Sequence, residues 1–176
     1  MLDSCCAFTG HRPHKLPWRY NEADSRCSAL KAALARQITQ LIDAGVTDFY
    51  SGGADGVDCW ASLIVLELRK KNPALKLHLI LPHEGQADKW SDSAQERYHS
   101  ILKKADSVEY VSREYYDGCM LDRNHRLVEA TGVLLAVYNG ERRGGTAATV
   151  RYARRLGRDT IILNPITLEV TEDQVG

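Results

Sequence analysis

Three short stretches combine glycine with residues able to hold an anion, and each follows an apolar run. The first, Thr9-Gly10-His11-Arg12-Pro13-His14-Lys15-Leu16, puts a small residue and a glycine where a ligand can approach the backbone, with His11, Arg12 and Lys15 to supply charge. Read alone, it serves equally as a turn whose basic residues are solvated. The second, Ser51-Gly52-Gly53-Ala54-Asp55-Gly56-Val57-Asp58, leads into helical sequence. Glycines lack the Cβ that would keep successive N–H groups from facing one anion, and a helix N-terminus adds positive potential. The run is neither G-x-G-x-x-G nor G-x-x-x-x-G-K-[ST], so it predicts neither the standard dinucleotide fingerprint nor a P-loop ATPase. Asp55 and Asp58 would repel a phosphate there. They suit capping of the helix, a contribution of about 0.3–1 kcal/mol, or the hydroxyls of a ribose, and a tight turn with two capping acids explains the run as well.

The third stretch, Asn139-Gly140-Glu141-Arg142-Arg143-Gly144-Gly145-Thr146, has no acid beside the helix start, and Thr146 can cap or bind an oxygen. It is the stronger anion site of the two glycine-rich loops, and their joint presence is more specific than either alone. Asp122-Arg123-Asn124-His125 forms a polar run inside an otherwise amphipathic helix; it reads either as a solvated turn or as functional. His11 and His14 lack further ligands at metal-site spacing, so no metal is expected. H-E-x-x-H, G-x-S-x-G and a recognisable Cys-His pair are all missing.

Short apolar runs alternating with longer amphipathic ones are the pattern of a parallel sheet with crossover helices. Strands are expected at 5–9, 48–51, 76–81, 107–111, 133–138 and 160–163. Helices are expected at 24–43, 57–70, 91–104, 118–130 and 146–156, the first from Leu30, Leu34, Ile38 and Leu41 at steps of three and four. Val133-Leu134-Leu135-Ala136-Val137-Tyr138 is the most apolar strand and is expected to be central, covered on both faces. The fold class is therefore α/β: one Rossmann-like, doubly wound, mostly parallel sheet of about six strands flanked by helices. The domain is expected over residues 1–166, with 167–176 a loose C-terminal tail. Such sheets bind ligands beyond the carboxyl ends of the strands, where the winding reverses.

A chain of 176 residues with 44% hydrophobic content suits one domain with a full core. The longest apolar runs are far below the ~20 residues that span a bilayer. The N-terminus lacks a basic segment followed by an apolar one. A cytoplasmic protein without membrane partners is expected. Its five cysteines show no C-x-x-C pattern and read as reduced, mostly buried thiols. Lys plus Arg, 23, balance Asp plus Glu, 23, which argues against a diffuse polyanion-binding surface. Residues 141–158 nevertheless hold six arginines and one glutamate.

Taken in order, Thr9-Gly-His-Arg-Pro with Lys15-Leu16, Ser51 to Asp58, Pro82-His-Glu-Gly-Gln86 with Lys89-Trp90, Gln95-Glu-Arg-Tyr98, Tyr115-Tyr116, Arg123-Asn124, Ala136 to Gly140, Gly144-Gly-Thr146 and Arg151-Tyr-Ala153 resemble the YpsA-like family. That family belongs to the SLOG superfamily, named for Smf/DprA and the LOG cytokinin-activating enzymes. The resemblance spans nearly the whole chain and implies a Rossmann-like fold, a nucleotide-derived ligand, and a link to bacterial cell division and stress. It adds Pro82 and Glu84 to a ligand-binding set of Thr9, Gly10, His11, Arg12, Ser51, Gly52, Gly53, Asp55, Gly56, Asp58, Arg123, Asn124, Asn139, Gly140, Gly144, Gly145 and Thr146.

LOG enzymes carry Pro-Gly-Gly-x-Gly-Thr-x-x-Glu and Met-x-x-Arg. Met120-Leu121-Asp122-Arg123 matches the second, but Thr149 stands where the glutamate belongs. A hydroxyl cannot stabilise an oxocarbenium-like centre as a carboxylate does. N-glycosidic hydrolysis then requires another acid, Asp58, Glu84 or Asp122, beside Arg123. The leading expectation is a protein that binds or senses a nucleotide or its derivative, of the ADP-ribose, NAD or nucleoside monophosphate type. Phosphate would lie on both glycine loops, with Arg12 and Arg123 as clamps and Asp55 or Asp58 near ribose. Alternatives are a LOG-like phosphoribohydrolase and DprA-like binding of single-stranded DNA. The last would use Arg151, Arg154, Arg155 and Arg158 on one helix face, although the sequence shows no row of aromatic stacking platforms and nucleic acid is the less expected partner. A homodimer is expected by fold analogy alone.

Overall fold

The computed structural model describes residues 1–174. Its strands are β1 Cys5–Gly10, β2 Asp48–Ser51, β3 Lys76–Leu81, β4 Ser107–Tyr110, β5 Val133–Val137, β6 Asp159–Leu163 and β7 Val170–Asp173. The helices are α1 Ser25–Asp43, α2 Val57–Arg69, α3 Asp92–Lys104, α4 Cys119–Glu129 and α5 Gly145–Arg155. They form one sheet in the order β4-β3-β2-β1-β5-β6-β7, parallel except for the β6–β7 pair.

Each helix starts where the local chemistry allows. Asp24 caps α1 by accepting from the Arg26 N–H at 2.9 Å, and Ser91 caps α3 by accepting from Ala94 N–H at 3.3 Å. By contrast, α2, α4 and α5 follow Gly56, Gly118 and Gly144, all at positive φ and none with a side-chain cap. Leu30, Leu34 and Ile38 of α1, Val57, Trp60, Ala61 and Val65 of α2, and Ile101 of α3 pack with Phe8, Phe49, Leu77 and Leu135 in the core of one face. Leu127 and Val128 of α4 and Val150 and Ala153 of α5 cover Ala7, Leu134 and Ala136 on the other. Every residue of β5 is buried, as its unbroken apolar sequence requires. It lies inside the sheet between β1 and β6, while β1 holds the exact middle of the order.

The six expected strands and five helices form, with ends shifted by a residue or two. The seventh strand corrects the expected loose tail. Val170–Asp173 pairs antiparallel with β6, in the register Leu163 to Val170 and Thr160 to Asp173. Val175 and Gly176, the end of that tail, lie outside the described residues. Cys6, Cys27, Cys59 and Cys119 are buried and Cys5 is half-buried, all as free thiols. No helix among the described residues is long and apolar enough to cross a membrane.

Candidate functional site

From β1 the chain winds towards β4 on one side, and β5 then pairs on the other, so the winding reverses between β1 and β5. A crevice opens beyond their carboxyl ends, as such a reversal produces. It is a cavity of about 310 Å³ lined by Thr9, Gly10, His11, Arg12, His14, Lys15, Ala54, Asp58, Met120, Arg123, Asn124, Gly145 and Thr146. Gly10 is required by packing: a Cβ there would stand 2.6 Å from Val57 Cγ1.

Arg123 reaches this cavity from α4 and is 3% exposed. Its Nη1 donates to the Gly52 carbonyl and, at 3.3 Å, to Gln86 Oε1; its Nε donates to Asn124 Oδ1 at 2.7 Å. Burial pulls its pKa down, Asp58 opposes that, and neighbouring Arg12 adds to it; a guanidinium remains charged throughout. A Cβ on residue 52 would lie 2.5 Å from Arg123 Nη1. Gly52 therefore serves the close approach of an arginine.

The Ser51–Asp58 loop differs from a phosphate cradle in one respect. Ser51 Oγ accepts from Gly53 N–H at 3.2 Å, Asp58 Oδ2 from Ala54 N–H at 3.2 Å, and Asp55 Oδ1 from Gly56 N–H at 2.9 Å. The loop's own side chains occupy the donors that an anion would need. Asp58 is buried beside the cavity, where desolvation pushes its pKa up against the pull of Arg123, the Ala54 N–H and Arg12.

Asp55 turns away from the cavity, and its Oδ1 also accepts from Arg97 Nη2 at 3.0 Å. Arg97 pairs in turn with Glu22 at 2.8 Å, and Glu22 accepts from Lys31 Nζ at 2.6 Å and Trp60 Nε1 at 2.9 Å. This network ties the β1–α1 connection, which carries Arg12 and Lys15, to three helices.

The N-terminus of α5 is left open by its own side chains. No side chain caps it, Gly144 stands at φ +103, and Gly145 and Thr146 line the cavity. Lys15 Nζ approaches from the first loop and pairs with Glu141 at 3.5 Å. Thr149 faces inward along the helix, donating to the Gly145 carbonyl at 2.8 Å. Its hydroxyl is thereby spent on the helix itself.

The remaining expected residues are placed elsewhere. Pro82 does not line the cavity, and Glu84 is exposed in a separate open hollow with His83, Arg113 and Tyr115. Asp122 is exposed and accepts from Tyr116 Oη at 2.6 Å. Asn139 and Gly140 border a groove next to β6 and β7, although Asn139 N–H donates to His11 Nε2 at 3.1 Å. Gly53 and Gly56 shape the second loop without lining the cavity.

The arginine face of α5 is also engaged. Arg154 pairs with Asp173 at 2.7 Å, Arg151 donates to the Arg142 carbonyl, Arg155 lies over the Tyr152 ring, and Arg158, beyond the helix, donates to the Val128 carbonyl. Gln86 was not among the expected residues. It donates to the Gly52 carbonyl at 3.2 Å as well as accepting from Arg123. No local pattern marks it, because its partners lie 34 and 37 positions away in sequence.

A mostly parallel sheet with a polar crevice where its winding reverses defines a Rossmann-like α/β protein. The profile of the YpsA family, described as "YspA SLOG family", matches residues 6–167, and the chain belongs to that family. It is 32% identical over 149 residues to a UPF0398 protein of Bacillus pumilus (strain SAFR-032), covering 84% of this chain and 80% of the relative. A UPF0398 protein of Lysinibacillus sphaericus (strain C3-41) is 29% identical over 85% of this chain and 82% of its own. Among solved structures, DNA processing protein A (DprA) from Streptococcus pneumoniae superposes with a TM-score of 0.59 at 14% identity, over 92% of this chain and 52% of that one. The chain thus spans about half of DprA, and the likeness is one of fold.

Proposed function

We propose that the protein binds a small nucleotide or nucleotide derivative in the cytoplasm, as a sensor, with phosphate at the start of α5. The observation that carries this reading is the uncapped first turn of α5, whose Gly145 and Thr146 share one cavity with Arg12, Lys15 and the buried Arg123. Backbone donors and a helix dipole aimed at one point attract an anion, and guanidinium groups add charge-assisted bonds. At about 310 Å³ the cavity lies at the lower end of the ~300–1,000 Å³ range of small-molecule sites. A mononucleotide fits that size better than a dinucleotide held entirely inside. Calorimetry and thermal shift with AMP, ADP-ribose and NAD test the reading. Saturable binding by one of them is expected, and a panel that neither binds nor raises the melting temperature overturns it.

A second reading, hydrolysis of an N-glycosidic bond, draws on Asp58. Of the acids Asp58, Glu84 and Asp122, it alone lines the cavity, and burial favours its protonated form, as a general acid needs. Incubation with nucleoside monophosphates and NAD, followed by chromatography, should then release free base, and Asp58→Asn should abolish release. If the wild type releases no base, binding alone stands.

A further inference from the structure

His11 was expected to add charge to an anion site, yet its surroundings suit a neutral ring. The residue is 4% exposed and lines the cavity. Its Nε2 lies 3.1 Å from the backbone N–H of Asn139, at the end of β5. A backbone amide can only donate, so Nε2 must keep its lone pair and the ring proton must reside on Nδ1. Nδ1 has no hydrogen bond to any of the described residues, and Nε2, the other ring nitrogen, is held by the wall behind it. We propose that His11 is a neutral binding residue whose Nδ1–H donates to an oxygen of the ligand, in a tautomer selected by the Asn139 amide. This rests on the proposed binding function.

The charged surroundings are mixed. Lys15 from the first loop opposes a positive ring, while Glu141 and the Asn139 side chain favour one. The Asn139 side chain, however, is already engaged with Glu141 through both its oxygen and its nitrogen. Tyr138 offers only its ring, with centroids 5.9 Å apart. Arg12, Asp58 of α2 and Arg123 of α4 share the same cavity. Burial is the largest influence and holds the imidazole below its ordinary pKa. Protonating Nε2 would set two donors against each other at the root of the 139–145 loop, which carries the Gly144–Gly145 turn. A neutral donor therefore contributes direction while keeping that loop in register with the start of α5.

Two measurements test this on the full chain. The first needs no ligand: long-range 1H–15N correlation of the histidine rings should show His11 with Nδ1 protonated and Nε2 bare as the main form from about pH 8 to 6.5. An Nε2–H tautomer, or an imidazolium at pH 6.5, would overturn the proposal. The second uses ADP-ribose, whose pyrophosphate does not titrate in that interval. In a His14→Gln background its affinity should stay flat as pH falls, whereas an imidazolium contact from His11 would tighten through pH ~6.5. His11→Gln can keep an acceptor for Asn139 but carries its amide N–H away from the Nδ1 position, and should weaken ADP-ribose by about threefold to tenfold, the span of one neutral hydrogen bond. His11→Asn keeps a donor near the Nδ1 position and should weaken it less. Equal losses in both variants, with unchanged melting, would refute a donor role. If wild type binds neither ADP-ribose nor AMP, the function reading fails and the donor role with it, while the ring spectrum still decides the tautomer.

Discussion

Arg123 can sit buried in the crevice because position 52 has no side chain. The pair is separated by 71 residues, and Arg123 meets the Gly52 carbonyl where a Cβ would collide with the guanidinium. Gly52→Ala should displace Arg123 from the Gly52 carbonyl and from Gln86 and cost roughly 1–3 kcal/mol, the penalty for leaving buried hydrogen-bonding groups unsatisfied. Urea unfolding and nucleotide titration would both register it. Asp58 makes an opposite prediction. Its folded pKa is raised by burial, so the folded state favours its neutral form more than the unfolded chain does. The stability linked to it is present at low pH and lost as pH rises through the folded value. Asp58→Asn should then unfold at higher urea than wild type at pH 7, with the gap closing as pH falls into the carboxylate range. That Arg12, Arg123, Gly145 and Thr146 meet beyond the strand ends was legible from residue types and spacing. The roles of Gln86 and Asp55 were not, because each is decided by a partner distant in sequence, Arg123 and Arg97 respectively.

At the scale of elements, the β1–α1 connection is clamped by Glu22, which gathers Lys31, Trp60 and Arg97. Burial alone would raise the Glu22 carboxyl, but its hydrogen bonds from Lys31 and Arg97 outweigh that and hold it below its ordinary value. The sign is the reverse of Asp58: this stabilisation is present above the unfolded carboxylate pKa and lost as acid protonates Glu22. Glu22→Gln should lower stability at pH 7 and flatten the acid side of a melting-temperature profile. Helices and interior strands were readable because their periodicity reflects burial on one face or two. β7 was not: Val170-Thr-Glu-Asp173 has a single apolar residue and no alternation, whereas Ser107-Val-Glu-Tyr110 of β4, equally exposed, alternates. The β7 backbone covers the edge of β6, helped by the Arg154–Asp173 pair. Removing residues 167–176 should expose that edge and promote self-association, visible by size-exclusion chromatography.

For the whole molecule, the proposed small anionic ligand suits balanced charge together with a concave cavity lined by Arg12, Lys15 and Arg123. A ligand present at about a hundred times its dissociation constant stabilises by ~2.7 kcal/mol. For a chain of this size that corresponds to a rise in melting temperature of roughly 5–10 °C. Single-stranded DNA should bind weakly, because the α5 arginines are already turned to Asp173, Tyr152 and backbone carbonyls. Tight, steeply salt-dependent retention on DNA would contradict this. The sulfur atoms distributed through the fold provide a separate means of following the molecule. Cys59 lies on α2 and Cys119 at the start of α4, both essentially inaccessible, whereas Cys5 is only half-buried. An alkylating reagent should therefore modify Cys5 first and reach the other two only when those helices open. The rates of the slow modifications, measured by mass spectrometry with and without a bound nucleotide, would time the breathing of the two helices that carry Asp58 and Arg123.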